Sequence, residues 1–458
     1  MSFFKIKIRR VRFWWRLTLA YFRRYSWKIA ATVTAVLVGL FIITRVLPSI
    51  SQTNTLNIGY VGNYTVNSLP SDALALATKT LIAVDKSGRP TPSLASHWTI
   101  SPDGKTYVVF LKDNLQWHDS TSVSAKDISI AITNVQISAP NNKAIQFQLP
   151  NPISSFLLAL DTPVFKAHSF YGTNIYRITG MDTVGGYVKK ISLLPNDNSL
   201  PKVNIKFYPT EAQALTAFKI GDIKSGSFTQ ATELESWPNI EVKKEVGENE
   251  IVTLFFNNGD QFLGSKELRQ ALIHSVDRTE FDGVIAHSPI SPSNWAYNPL
   301  VKKYEFNTGR ARELINKSNY NGEILTLSYI PSLKKIAEKL QKDWKNVGVD
   351  VNIKQESQVP ANYQIFLTVN KLSPDPDQYS LWHSSQTKTN ITHYVNKKID
   401  KLLEDARATL DEKEREGLYA DFQRFLVEDA PAAFLYYPYR YDLTYKNAKE
   451  LIAKLPKN

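Results

Sequence analysis

The chain contains no cysteine among its 458 residues. That excludes disulfides, thiolate metal sites, a nucleophilic cysteine and lipid attachment through an N-terminal cysteine. Acid is missing from the beginning of the chain, where no Asp or Glu precedes Asp72. Nucleotide signatures are missing too: neither GxxxxGKS/T nor GxGxxG occurs, and Gly185-Gly186 alone signifies a turn. There is no GxSxG elbow for a hydrolase serine. The histidines (His97, His118, His168, His274, His287, His383, His393) show no HExxH, and none lies three or four residues from another. Each is read as a satisfied structural group rather than a metal ligand. No catalytic residue, metal or cofactor is expected.

What is present begins with charge. The formal net charge is +12, yet ten of the bases fall in residues 1–45 with no acid, which leaves +2 for the remainder. A near-neutral body excludes a nucleic-acid footprint and assigns the basic character to the N-terminus. An apolar content of 43% marks a folded chain, and the roughly 400 residues that follow the N-terminal region exceed one core, so two lobes are expected.

Ile29 to Thr44 runs without a charge between Lys28 and Arg45, and Trp27, Val46 and Leu47 extend it. Roughly 20 helical residues cross a bilayer core of about 30 Å, a length reached here once the flanking bases snorkel. The reading is a basic cytoplasmic tail over 1–28, a transmembrane helix over 29–47 and a linker over 48–54. Basic flanks stay inside, which places the main domain outside the cell membrane. A cleaved secretion signal is the competing reading, and Ser49-Ile50-Ser51 supplies only a weak site for it. The tail interleaves bases with Phe13, Trp14, Trp15, Tyr21, Phe22 and Trp27, a pattern of either an inner-leaflet amphipathic helix or a simple positive flank.

Beyond the linker, Leu56 to Tyr60 and Thr106 to Leu111 read as strands, with turn chemistry at Asp85-Lys86-Ser87-Gly88 and Pro102-Asp103-Gly104. Ser124 with Asp127 reads as the start of a helix through Ile128 and Ile132. Thr210 caps a helix closed by Gly221, Ile251 to Asn258 is an apolar strand, and Ser265 opens a helix carrying Leu268 and Leu272. Ile336, Leu340, Trp344 and Val347 form a helical stripe ended by Gly348, and Val349, Val351 and Ile353 alternate as a strand. Asn396 to Leu410 and Asp411 to Glu428 read as amphipathic helices. Pro431 then breaks the pattern, and Ala433 to Tyr437 returns as a strand.

Several of these segments resemble the family-5 extracellular solute-binding proteins, the oligopeptide-, dipeptide- and nickel-binding components of ABC importers. The resemblance rests on Pro92-Ser93-Leu94-Ala95 with Trp98, Ser101-Pro102-Asp103-Gly104-Lys105, Trp117-His118-Asp119 and Ser124-Ala125-Lys126-Asp127. It is joined by FFNN…ELRQALIHSVDR, SPDPDQYSLWHSSQ, NKKIDKLLEDAR and YADFQRFLVEDAPAAFLYYP. It spans about Leu56 to Tyr445. It implies an α/β bilobal periplasmic-binding-protein-like fold of two mixed-sheet lobes joined by hinge strands. Lobe I would take 55–250 and 433–458, and lobe II 260–430. The implied function is capture of a solute, foremost an oligopeptide, for ABC permease subunits, with no catalysis. The alternative is a ligand-sensing module that presents its bound form to a membrane receptor, and an extracytoplasmic hydrolase ranks below both.

Six residues are candidates for the ligand site. Asn257 and Asn258 offer amide groups at the first crossing, or turn chemistry before Gly259. Trp295 and Trp382 offer rings for stacking, or core packing. Asp375 and Asp377 lie in the stretch where peptide-binding relatives place, a few residues earlier, an acid for the ligand's amino terminus. This chain has Leu372 and Ser373 there, so Asp375 and Asp377 are either substitutes or turn residues. A second departure is that no GTGPY-like turn stands between Tyr176 and Tyr187, and the first lobe reads as trimmed.

Overall fold

The computed structural model describes residues 14–15, 23–28, 31–39, 41, 54–231 and 234–456, and the chain divides into two units, Met1–Thr55 and Leu56–Asn458. In the first unit residues 31–39 and 41 are helical. The rest of the expected 29–47 membrane segment, and most of the 1–28 tail and the 48–54 linker, lie outside the described residues. Among the described residues no helix is long and apolar enough to cross a membrane.

The second unit holds three hydrophobic cores. In the smallest, a four-stranded antiparallel sheet runs Ala95–Ile100, Thr106–Leu111, Ala144–Gln148, Gln136–Asn141 in spatial order. Thr106–Leu111 shows why it forms: Tyr107, Val109 and Leu111 are buried on one face, the two-residue period of a half-buried strand. The second core gathers Leu56, Ile205, Phe218 and Leu443 beneath the strands Thr55–Val61, Lys202–Tyr208 and Ser225–Phe228. A hairpin, Tyr176–Val184 with Tyr187–Pro195, extends that sheet through the Gly185-Gly186 turn. These two cores are taken together as the first lobe, and the remaining one as the second. The largest core runs from Ile251 to Tyr437.

Helix starts follow capping chemistry. Thr210, Ser265, Asn396 and Asp411 each accept a backbone N–H with the side chain, opening Glu211–Lys219, Lys266–His274, Lys397–Ala408 and Glu412–Asp429. The helix Lys334–Lys345 buries Ala337, Leu340 and Trp344, and Gly348 at φ +92° turns the chain into Val351–Gln355. That strand pairs in parallel with Leu325–Tyr329. Around it the sheet is mixed: Glu250–Phe256 runs antiparallel to both Ile365–Lys371 and Ala432–Tyr445.

Two expectations are corrected. Ser124 does accept from Lys126 N, but only a single turn, Ala125–Asp127, follows. β-branched Ile128, Ile130 and Ile132 disfavour a helix, and the chain instead forms an extended bridge from Ile128 to Lys166. The return strand is also far longer than Ala433 to Tyr437, spanning Ala432–Tyr445. Ala430, left-handed at φ 51°, and Pro431 end the preceding helix and launch it.

Candidate functional site

The long strand joins the two larger cores. Ala432 to Tyr437 are buried in the second lobe's core, whereas Tyr441, Leu443 and Tyr445 are buried in the first. Pro438, Tyr439 and Arg440 are the half-buried residues between. Beside them the chain makes its other crossing, from Val246 to Glu250. There Gly247 N donates to Pro438 O at 2.8 Å and Glu250 N donates to Gly247 O at 3.0 Å. A Cβ on Gly247 would stand 3.0 Å from Pro438 O and 3.1 Å from Arg440 Cγ, so glycine lets the two crossings lie against each other.

A groove of about 680 Å³ opens at this junction. The first lobe contributes Tyr60, Tyr64, Asp72, Glu211 and Ser225 to Thr229; the second contributes Asn249, Glu250 and Lys371; the long strand adds Arg440, Asp442 and Thr444. Alternation explains the last three. In the run Arg440-Tyr441-Asp442-Leu443-Thr444-Tyr445 the apolar residues are buried and the polar ones half-exposed, so the polar set shares one face.

The walls are held by specific bonds. Glu211 accepts from Thr229 N at 2.8 Å and Gln230 N at 3.2 Å, fixing the end of Ser225–Phe228. Ser225 Oγ and Thr444 Oγ1 lie 3.1 Å apart, and Arg440 Nε donates to Ser227 Oγ at 3.3 Å. Burial raises the Tyr60 phenol above its ordinary value, and the Asp72 carboxylate reinforces that, so this ring presents a neutral hydroxyl. The groove therefore offers hydroxyls, carboxylates, one guanidinium and one ammonium within a single space.

Further contacts link the lobes away from the groove. Trp295 N donates to Ser87 O at 3.0 Å, and Arg89 meets Glu412 at 2.9 Å. Ser154 N donates to Arg407 O at 2.9 Å, and Ser154 Oγ to Ala406 O at 3.1 Å.

Residues 89–391 match the family described as bacterial extracellular solute-binding proteins, family 5, middle region. The chain belongs to that family. As a family-5 solute-binding protein it is a binding protein and not an enzyme. Oligopeptide-binding protein AppA of Bacillus subtilis is 28% identical over 277 residues, which are 52% of this chain and 51% of that relative. The AppA match thus spans about half of the relative's length. The probable D,D-dipeptide-binding periplasmic protein DdpA of Escherichia coli is 23% identical over 404 residues, 75% of this chain and 78% of its own. In fold, the chain resembles NikZ of Campylobacter jejuni in complex with Ni(L-His), with TM-score 0.71 at 22% identity over 86% of this chain and 94% of that one. It resembles AppA of Bacillus subtilis in complex with a nonapeptide with TM-score 0.67 at 22% identity, covering 86% and 94%.

In this family-5 protein the six residues singled out from sequence are held by its own structure. Asn257 donates from Nδ2 to Tyr363 O at 2.9 Å and accepts from Gly259 N at 3.0 Å. Asn258 Nδ2 donates to Phe256 O at 3.0 Å and Thr392 O at 3.1 Å. Trp382 is fully buried between Phe255 and Phe434. Trp295 is partly buried, with the Arg415 guanidinium 5.1 Å from its ring centre. Buried Asp375 pairs with Arg415 at 3.3 Å, and Asp377 pairs with Arg407 at 2.9 Å. Leu372 packs against the large core. None of the six lines the groove. Of the residues that do, Arg440, Asp442 and Thr444 lie beyond Tyr437, where the expected return strand ended. The alternation after it was the available signal.

Proposed function

We propose that this chain captures an oligopeptide in the groove between its lobes and delivers it to an ABC permease. Family membership supports the solute-binding part of this reading. The observation that carries the peptide part is the groove's mixed lining, in which Asp72 and Glu250 share one space with Arg440 and Lys371. A zwitterionic chain of peptide bonds matches such a surface, since amides meet hydroxyls and termini meet opposite charges. The curated relatives named for oligopeptides and dipeptides point the same way. Closure about the two crossings would bury the ligand, with affinity set by how far its contacts favour the closed state.

Tethering belongs to the same proposal. The uncharged run Ile29 to Thr44 behind a basic tail supports a single membrane helix with the main domain outside. A tether keeps the binding domain near its permease and raises its effective concentration there.

Native mass spectrometry of the protein as purified tests the ligand. Bound peptides are expected, and a metal chelate or sugar with no peptide overturns the reading. Alkaline extraction of membranes tests the tether. Retention in the pellet is expected, and release into the supernatant overturns it. Deletion of the gene distinguishes import from sensing: lost peptide uptake supports delivery, whereas intact uptake with a lost response replaces it by the sensory alternative.

A further inference from the structure

Three arginines are buried in the folded unit, and each is held by two or more acceptors. Arg269 donates to the carbonyls of Ala430, Leu263, Gly264 and Asp429. Arg278 donates to those of Ala286, Phe434 and Tyr304. Arg415 holds Asp375. Arg440 is different. It is half-buried on the crossing strand, and its donor bond is to Ser227 Oγ at 3.3 Å. Among the described residues no carboxylate forms an ion pair with it.

Its position is nevertheless fixed. The Cγ and Cδ atoms lie against Gly247, where an added Cβ would approach them to 3.1 and 3.2 Å. The stem is thus laid along the neighbouring crossing, while Nε reaches Ser227, whose partner across the strands is Asp442. A guanidinium carries five N–H donors in a planar fork, and one is used here. A half-desolvated cation with free donors is complementary to a planar anion that takes two parallel bonds.

We propose that Arg440, steadied by Ser227 and by the close approach at Gly247, is the subsite for a carboxylate of the bound solute. The assignment rests on the peptide reading above and narrows it to peptides with a free carboxyl group near the hinge. An anion held here sits where both connecting segments touch the same side chain, which makes Arg440 a specificity residue and ties its occupancy to the crossing. Asp72, on the first-lobe wall, is left for the opposite charge.

The test uses the full chain and a random-sequence pentapeptide mixture, half with free C-terminal carboxylates and half with carboxamides. Bound peptides are captured, released and sorted by mass. Wild type is expected to enrich the carboxylates about tenfold or more, the scale of a charge-assisted pair. Arg440→Gln should bring that ratio near one. Arg440→Lys, which keeps the charge and loses the fork, should fall between. A wild-type ratio near one, or a ratio unchanged in Arg440→Gln, overturns the carboxylate subsite and leaves the peptide reading standing. Failure of wild type to retain any peptide overturns the peptide reading and the subsite with it.

Discussion

Arg415 Nη2 lies 3.3 Å from each carboxylate oxygen of Asp375, and both side chains are buried. Burial raises the Asp375 carboxyl above its ordinary value, and the Arg415 charge opposes that rise. The same guanidinium donates from Nε to Ala406 O and lies over the rings of Trp295 and Tyr419. Asp375 Oδ1 also accepts from Asp377 N at 2.8 Å, so the acid organises its own turn. This pair anchors the Glu412–Asp429 helix to the Asp375-Pro376-Asp377 segment.

Removing one partner of a buried ion pair leaves the other uncompensated. Arg415→Ala is therefore expected to destabilise the folded unit by about 3–5 kcal/mol in urea unfolding at neutral pH. Adding Asp375→Ala to that variant should recover part of the loss, because the stranded carboxylate is gone. A loss under about 1 kcal/mol in Arg415→Ala would show that Asp375 does not depend on its partner.

The turn of a separate two-stranded hairpin, Ile82–Val84 with Pro90–Pro92, makes a geometric prediction. Gly88 has φ +88°, and a Cβ there would stand 2.1 Å from Pro374 O and 2.8 Å from Asn294 Nδ2. Backbone cannot yield that distance, so Gly88→Val should undock the turn and break the Trp295 to Ser87 bond. Small-angle scattering should record a larger radius of gyration. Arg89→Ala removes an ion pair whose side chains are 44% and 50% exposed, and it should change stability by no more than about 1 kcal/mol. Equal radii for Gly88→Val and wild type would remove the hairpin from the lobe contact.

These contacts also explain what sequence reading could and could not reach. Local signals were legible: capping by Thr210, Ser265 and Asp411, the alternation of Thr106–Leu111 and the stop at Gly348 depend on neighbours within a few residues. The division of the long strand between two cores was not. Ala433 to Tyr437 reads as apolar throughout because both faces are covered, and the polar alternation from Arg440 onward resembles a different element. Pro438 between them reads as an end, although here it joins the two halves. Pairing was equally hidden. Nothing near Asp375 announces that Arg415, forty positions away, consumes its charge, or that Asp377 meets Arg407.

His287 supplies a pH dependence. It lines a small pocket with Arg278, Lys302 and Tyr304, and its buried Nδ1 has no hydrogen-bond partner among the described residues. Burial, helped by the charges of Arg278 and Lys303, pushes its pKa down from 6.5 to about 4. The folded state thus favours the neutral ring. Between pH 6.5 and 4 the unfolded chain takes up a proton that the folded chain refuses, so this group's contribution to stability is lost as pH falls through that window. Below it both states are protonated and the loss is complete. The urea midpoint of His287→Leu should fall less steeply than that of wild type from pH 6.5 to 4.5. Parallel curves would show that the ring titrates alike in both states.

Trp382 separates core from groove. Its ring is fully buried, with Phe255 and Phe434 centred 6.1 and 6.3 Å away, and its Nε1 donates to Gln378 Oε1 at 3.2 Å. That environment holds a large apolar area together with the one polar atom the indole must satisfy. Truncation removes both and leaves a cavity that close-packed neighbours fill only in part. Trp382→Ala should therefore cost about 3–5 kcal/mol of unfolding free energy. Below its melting transition the variant should hold the same peptides with the same affinity as wild type, since no Trp382 atom lines the groove. Affinity measured by calorimetry and stability measured by urea unfolding answer this together. Weakened binding in a variant of undiminished stability would move Trp382 out of the core and into the ligand's reach.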